Sequence, residues 1–476
     1  MTRLLSLLLI SALAQGLIGC AQNPVSGQQD FVMMSETQEI SMGRSANAEV
    51  LKQYSVYQNP ALQSYVNGIG QALAQRSHRS NLNYHFTVVD SPEINAFALP
   101  GGYVYITRGI MAYLNSEAEL AAVLGHEIGH VTARHGVRQQ SAAQAANIGI
   151  SIASIFVPEL NTQAGHDLSN LLGGALLSGY GREHELESDR LGAQYLARTE
   201  YDPQAMIRVV GVLKNQETFD AEIAKQEGRE PRRYHGTFAT HPDNDTRLQQ
   251  VVGEAKNLTV ANPVEKREEY LRQTEGLIFG DNVAEGVVRD RRFLHKDLGI
   301  ALTFPSGWSI KNLPDKVVAL SAQNDAMLQL GLDAKPSGTA VEYARRLLGQ
   351  NVSIEALKID GLQAALGSSG NRLLGVIYHG GKAFLLQGGA KTPQLLATRR
   401  EAMETAVRSF RILSADERAA IRPLTLRLVQ AVAGDSYAKF AARSPLGRNA
   451  EQYLRLLNAQ YPQGEPVPGQ TIKLVE

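Results

Sequence analysis

A chain of 476 residues is too long for one ordinary domain, and roughly two to four are expected. It is 43% hydrophobic and 20% charged, a globular composition, and its 47 Lys+Arg balance 47 Asp+Glu, which removes any general electrostatic case for nucleic acid. A single cysteine excludes an internal disulfide.

Residues 1–19 hold one early arginine, Arg3, then a leucine-rich run that closes on Leu17-Ile18-Gly19 before Cys20. The run suits the apolar region of a signal peptide and is short for a membrane span. Small residues before a lone cysteine resemble the lipobox of bacterial lipoproteins. That resemblance implies cleavage before Cys20 and lipid attachment to it. With Ala21 rather than aspartate next, it also implies the outer membrane, facing the periplasm, with the mature chain anchored and not spanning. Residues 20–35 are polar and read as a tether.

Residues 36–76 alternate acidic and apolar positions at helical spacing and break at Pro60, which predicts one or two helices. Tyr84–Asp90 and Tyr103–Thr107 read as strands, on either side of Asn95-Ala96-Phe97-Ala98-Leu99-Pro100-Gly101-Gly102. They are either an ordinary hairpin or a sheet with an exposed edge to which a substrate backbone could add as a further strand.

Ser116 followed by Glu119 reads as a capping box that opens a helix, and Gly136 as its stop. Within it stands His126-Glu127-x-x-His130. Positions i and i+4 share one helical face, so the two imidazoles can grip one metal ion. Leu120, Leu124, Ile128 and Val131 form an apolar stripe on roughly the opposite side, and Gly125 and Gly129 leave room for a second element to come close. Neutral imidazoles bind zinc at about 2.0–2.1 Å, and a catalytic site keeps one position open for water. Zinc acidifies that water, and Glu127 is placed to take its proton and pass it to the leaving amine.

Ser141–Phe156, rich in Ala, Ile and Gly, reads as a buried or site-covering helix, and residues 161–181 as a cover over the cleft or a packed connector. A third ligand is expected in Arg182–Gly192, where spacing leaves Glu183, Glu185 and Glu187 open. Glu185 and Asp189 share a face. Glu185 can bind zinc while Asp189 holds a ligating imidazole by its other nitrogen. His184 reads as a surface residue.

H-E-x-x-H followed further along by E-x-x-x-D, with N-A-F-A-x-P-G-G upstream, resembles the M48 family of zinc metallopeptidases over roughly residues 35–275. Within that family the chain is similar to periplasmic members that degrade misfolded outer-membrane proteins. The resemblance implies one Zn2+ per chain on His126, His130 and Glu185, with Glu127 as general base. In Thr240-His241-Pro242 it implies a regulatory histidine, His241, that can take the fourth zinc position and hold the enzyme latent; otherwise His241 is a turn residue.

Those relatives carry helical repeats after the protease domain, but no period of about 34 residues runs through 280–476. Residues 290–412 alternate like strands, with helical stretches at 339–350 and 393–408, and predict a small α+β domain. Residues 423–476 follow a strand, G-D-S, helix, helix, P-G-Q, strand order that resembles a LysM module, which would imply peptidoglycan binding.

The expected architecture is therefore α+β: a mainly helical zincin-type domain with a small sheet over 36–280, an accessory domain over 290–412, and a LysM-like β-α-α-β module over 423–476. The expected function is a lipid-anchored periplasmic zinc metalloendopeptidase acting on unfolded or misassembled envelope proteins, in reach of the outer-membrane assembly machinery. The rival is a latent chaperone or scaffold anchored to the cell wall.

Overall fold

The computed structural model describes residues 20–142, 181–227, 255–313 and 315–476, together with Arg247 and Gly253. The leader at 1–19, most of the 161–181 segment, residues 143–156 and His241 lie outside the described residues. The chain divides into two compact units. One comprises Met1–Thr218, Arg233–Leu277 and Leu426–Glu476; the other comprises Phe219–Arg232 and Ile278–Thr425.

The first unit begins with a short antiparallel pair, β1 (Cys20–Gln22) and β2 (Gln29–Phe31), so the stretch read as a tether holds a turn of its own. Helix α1 (Glu36–Gln53) opens with a Ser35/Gln38 capping box. Helix α2 (Pro60–Ala74) opens on Asn59, with Pro60 in the first turn where its missing N–H costs nothing. Strands β3 (His85–Val89), β4 (Ala96–Leu99) and β5 (Tyr103–Thr107) form a sheet in the order β3-β5-β4. β3 and β5 are parallel, and β4 returns antiparallel with Leu99 opposite Tyr103. The turn uses Gly101 and Gly102 at φ of 80° and 94°, values side chains resist.

Helices α3 (Arg108–Tyr113) and α4 (Glu117–Thr132) follow, then α5 (Arg182–Arg198), α6 (Ala205–Glu227) and α7 (Arg267–Thr274). Every residue of α4 is buried, so the helix is wrapped on all sides and the expected single stripe understates its burial. Among the described residues, no helix is long and apolar enough to cross a membrane.

In the second unit, β6 (Ile278–Phe279), β7 (Val287–Arg289), β8 (Arg292–His295) and β9 (Ile300–Thr303) lead into seven antiparallel strands. These are β10 (Ser309–Leu313), β11 (Lys316–Leu320), β12 (Ala326–Asp333), β13 (Ile354–Ile359), β14 (Leu362–Ser369), β15 (Arg372–His379) and β16 (Lys382–Ala390). Helices α8 (Ala340–Leu348) and α9 (Pro393–Arg408) fall within the two stretches of helical spacing, and Thr339 and Thr392 cap them. Alternation serves both faces of the large sheet. Leu374, Val376 and Ala383 pack with Ala340 and Ala344 of α8, while Leu373, Ile377 and Leu386 pack with Met403 and Val407 of α9. A second sheet has the order β17-β9-β8-β7, with β17 at Arg411–Ile412, and α10 (Ala415–Ala420) follows it.

The chain then returns to the first unit. β18 (Leu424–Gln430), α11 (Tyr437–Ala441), α12 (Ala450–Leu457) and β19 (Thr471–Val475) give the β-α-α-β order, with β18 and β19 paired antiparallel. Residues 426–476 group with the unit that holds α4 and do not form a third compact unit.

Candidate metal centre

Helix α4 is fixed at its first turn. Ser116 Oγ accepts from the Glu119 N–H at 3.2 Å. The Glu119 carboxylate accepts from the Asn115 N–H at 2.7 Å, one residue short of a closed capping box. Glu117 is buried and accepts from Tyr65 (2.7 Å), Tyr201 (2.5 Å) and Lys266 (2.6 Å). Just ahead of the cap, Lys473 of β19 donates to the carbonyls of Ala112 (2.6 Å) and Leu114 (2.8 Å). Burial pushes the Lys473 amine well below its usual range and the Glu119 carboxyl above its own.

Two glycines let α5 approach α4. A Cβ at Gly129 would lie 3.1 Å from the Cα and carbonyl oxygen of Ser188, and one at Gly125 would lie 3.3 Å from the Cα of Gly192. At that approach the first turn of α5 delivers Glu185 to the face of α4 that carries His126 and His130.

The three side chains converge. His126 Nε2 and His130 Nε2 are 3.0 Å apart, and the Glu185 oxygens stand 3.6 Å and 3.5 Å from them. A tetrahedral ion with bonds of about 2.0–2.1 Å holds its ligand atoms roughly 3.4 Å apart, so the donor triangle has the size such an ion needs. Two imidazole nitrogens and one carboxylate oxygen are also the donor set of catalytic zinc. His126 (6% exposed), His130 (2%) and Glu185 (0%) are buried. Among the described residues this is the group of histidines and carboxylates close enough to share an ion. Glu127, next to His126, is buried at the same place.

The ligand set is held from behind on two sides. His126 Nδ1 lies 2.8 Å from Asp189 Oδ1. Arg247 grips Asp189 with both arms of its fork, at 2.8 Å and 2.7 Å, and puts its third nitrogen 3.3 Å from Glu185. Burial alone would raise the Asp189 carboxyl, but the Arg247 guanidinium outweighs it and holds the group well below the usual carboxylate range. Glu185 goes the other way: burial pushes it up to about 8, against the pull of Arg247.

On the other side, His130 Nδ1 lies 2.9 Å from His135 Nδ1, and His135 Nε2 lies 3.0 Å from Glu187. A carboxylate at Nε2 makes that nitrogen the donor. Nδ1 of His135 therefore accepts from His130, which turns the lone pair of His130 Nε2 toward the triangle. Glu187 is held at about 2, first by its hydrogen bond with His135 and then by Arg138, 3.3 Å away.

Sequence reasoning missed Arg247 and His135. His135 had a visible signal, a third histidine five residues after His130; Arg247 had none, because its partners come from α5. Of the three glutamates left open, Glu185 points inward, Glu187 serves His135 and Glu183 is exposed. His184 is not the surface residue expected. It is half-buried, with its ring stacked on His135 at 4.2 Å between centroids, and burial lowers it to about 4.

β4 is an edge strand of its sheet, and its residues Ala98 and Leu99 line a small cavity of about 10 Å³ together with His130.

Residues 60–255 match the sequence profile of Peptidase family M48. Over these residues the chain resembles that family. The chain is 33% identical over 255 residues to the Beta-barrel assembly-enhancing protease of Yersinia pestis, across 52% of this chain and 50% of that one. With the protein of that name in Escherichia coli (strain K12) it shares 32% over 232 residues, 47% of this chain and 45% of the other. With the Mitochondrial metalloendopeptidase OMA1 of Schizosaccharomyces pombe it shares 31% over 185 residues, 38% of this chain and 54% of the other. The chain spans about half the length of the relatives it matches.

Proposed function

We propose that this chain is a zinc-dependent endopeptidase of the bacterial envelope that cleaves unfolded or misassembled envelope proteins. The observation that carries the chemistry is the buried donor triangle of His126, His130 and Glu185 with Glu127 beside it. Zinc held there supplies Lewis acidity, polarising a peptide carbonyl and making a water acidic near neutral pH. The Glu127 carboxylate takes the proton of the attacking water and returns it to the amine that leaves. Asp189 and His135 keep the two imidazoles turned inward, and Arg247 offsets the charge of Asp189 and Glu185. β4 is an outer strand of its sheet among the described residues, its end borders His130, and its backbone groups offer an edge on which an extended substrate can align as an added strand. Such recognition reads main chain more than side chain and suits an enzyme of unfolded segments.

The envelope setting rests on the lipobox-like residues before Cys20 and on the relatives named for β-barrel assembly. The LysM-like order from β18 to β19 supports a peptidoglycan contact for the same chain. His241 as a latch on the fourth zinc position belongs to this reading too: His241→Ala should raise activity.

The deciding measurement is casein cleavage and bound metal for wild type and Glu127→Gln. We expect equal zinc, near one per chain, and activity lower in the variant by about 10²–10⁴-fold. Retained cleavage would reject Glu127 as base. Rescue of an envelope defect by Glu127→Gln would favour the chaperone or scaffold instead.

A further inference from the structure

In the second unit, β7 and β8 form a hairpin in which Arg289 stands directly opposite Arg292. Like charges opposed across an antiparallel pair repel, so this pairing asks for a counter-charge. Alternate strand residues share a face, which puts both arginines on the side that carries Val287 and Leu294. Leu294 is opposite Ala301, and Ala301 is opposite Arg411, so a third guanidinium joins the same face.

Between this face and α10 lies a cavity of about 260 Å³. Its floor is apolar, made by the packed residues Val287, Leu413 and Ile421. Its walls carry Arg289, Arg292, Arg411 and Arg422 against one carboxylate, Glu417. That carboxylate is already engaged. Arg411 grips it with both arms at 2.9 Å and 2.6 Å, and its Oε2 also accepts from the Ser414 N–H at 2.9 Å, which caps α10.

Three guanidiniums remain around the cavity. Among the described residues, none of Arg289, Arg292 and Arg422 has a carboxylate within salt-bridge distance. Arg289 donates to the carbonyl of Val288, at 3.4 Å. Its burial lowers its affinity for a proton, with Asp281 a partial counterweight. Asp281 is itself spent on the Val288 N–H at 2.7 Å.

We propose that this cavity binds a phosphomonoester: the arginines Arg289, Arg292 and Arg422 take the phosphate, and an apolar substituent rests on the Val287–Leu413–Ile421 floor. A phosphomonoester carries close to two negative charges at neutral pH and three acceptor oxygens, which fits three forked donors better than a singly charged carboxylate does. The volume, small beside the roughly 300–1,000 Å³ of most ligand sites, limits the buried part to about the size of a phenyl phosphate. The same chemistry is presented by a free metabolite and by the headgroup of phosphatidic acid. The proposal is independent of the metal centre.

The test uses the full chain in calorimetric titration with phenyl phosphate, inorganic phosphate and benzyl alcohol, and in flotation with vesicles containing phosphatidic acid. Phenyl phosphate should saturate at one per chain and bind at least tenfold more tightly than inorganic phosphate, with no heat from benzyl alcohol. Arg292→Glu, at an exposed position, should keep the thermal midpoint and lose at least tenfold in affinity; Arg422→Gln provides a milder second variant. Capture of the vesicles by wild type and not by Arg292→Glu, without binding of the soluble probes, would assign the site to the lipid headgroup. Binding that neither variant weakens, or no saturable binding of phenyl phosphate together with no vesicle capture, would overturn the proposal.

Discussion

At the scale of single residues, the metal centre is a balance of buried charges. Glu185 is a carboxyl raised to about 8 by burial. A group raised above its unfolded value near 4.5 favours the fold below that value, and the contribution is lost as pH rises toward about 8. The metal-free protein should therefore weaken from pH 5 to pH 8. Metal needs the ionised carboxylate and must displace a proton throughout that window, so its binding tightens with pH. The gap in thermal midpoint between zinc-loaded and chelated protein should widen steadily from pH 5 to pH 8; a constant gap would show that Glu185 is ionised throughout. The supporting residues have their own signature. His135→Ala and Asp189→Asn should each reduce zinc affinity by about 10–100-fold, read by competition with a chromophoric chelator. An unchanged affinity in His135→Ala would mean that His130 is oriented without it.

Between elements, the deciding contact is α4 against α5. Gly129 faces the Ser188 backbone, which cannot swing aside as a side chain end could. Gly129→Val should therefore push the helices apart, costing about 1–3 kcal/mol in urea unfolding and weakening zinc through the displacement of Glu185. Stability lost with zinc affinity intact would separate packing from ligand placement. This contact also marks how far the sequence could be read. The cap at Ser116, the i, i+4 histidines and the two glycines are local features, and each was legible. So were the strands and helices of 290–412, because alternation and helical spacing are written residue by residue. The choice among Glu183, Glu185 and Glu187 was open to spacing alone, since all three sit in the first two turns of α5 and only the approach to α4 selects one. Arg247 was invisible for the same reason. A buried arginine is decided by the carboxylates that meet it, and these lie on another helix.

For the molecule as a whole, the last segment is the least legible part. Its β-α-α-β order could be read, but its grouping with the first unit could not, because that rests on contacts between distant residues, among them Lys473 with the carbonyls of Ala112 and Leu114 and Arg267 with the carbonyl of Thr471. Lys473→Ala should cost about 2–4 kcal/mol, from lost packing and from the carbonyls of Ala112 and Leu114 left without a donor. Urea unfolding monitored with and without zinc would measure it, and a loss below about 0.5 kcal/mol would show that water replaces the amine. This connection also sets a schedule. The first unit is interrupted in sequence by Ile278–Thr425, so a chain made from its N-terminus has α4 and α5 long before it has β19. Until Lys473 arrives, the carbonyls of Ala112 and Leu114 ahead of α4 lack this donor, and the second unit, whose residues are already made, has time to fold first. Completion of the first unit is thus among the last events of the chain's own biogenesis, and the nascent chain passes through synthesis with the entry to α4 still untethered.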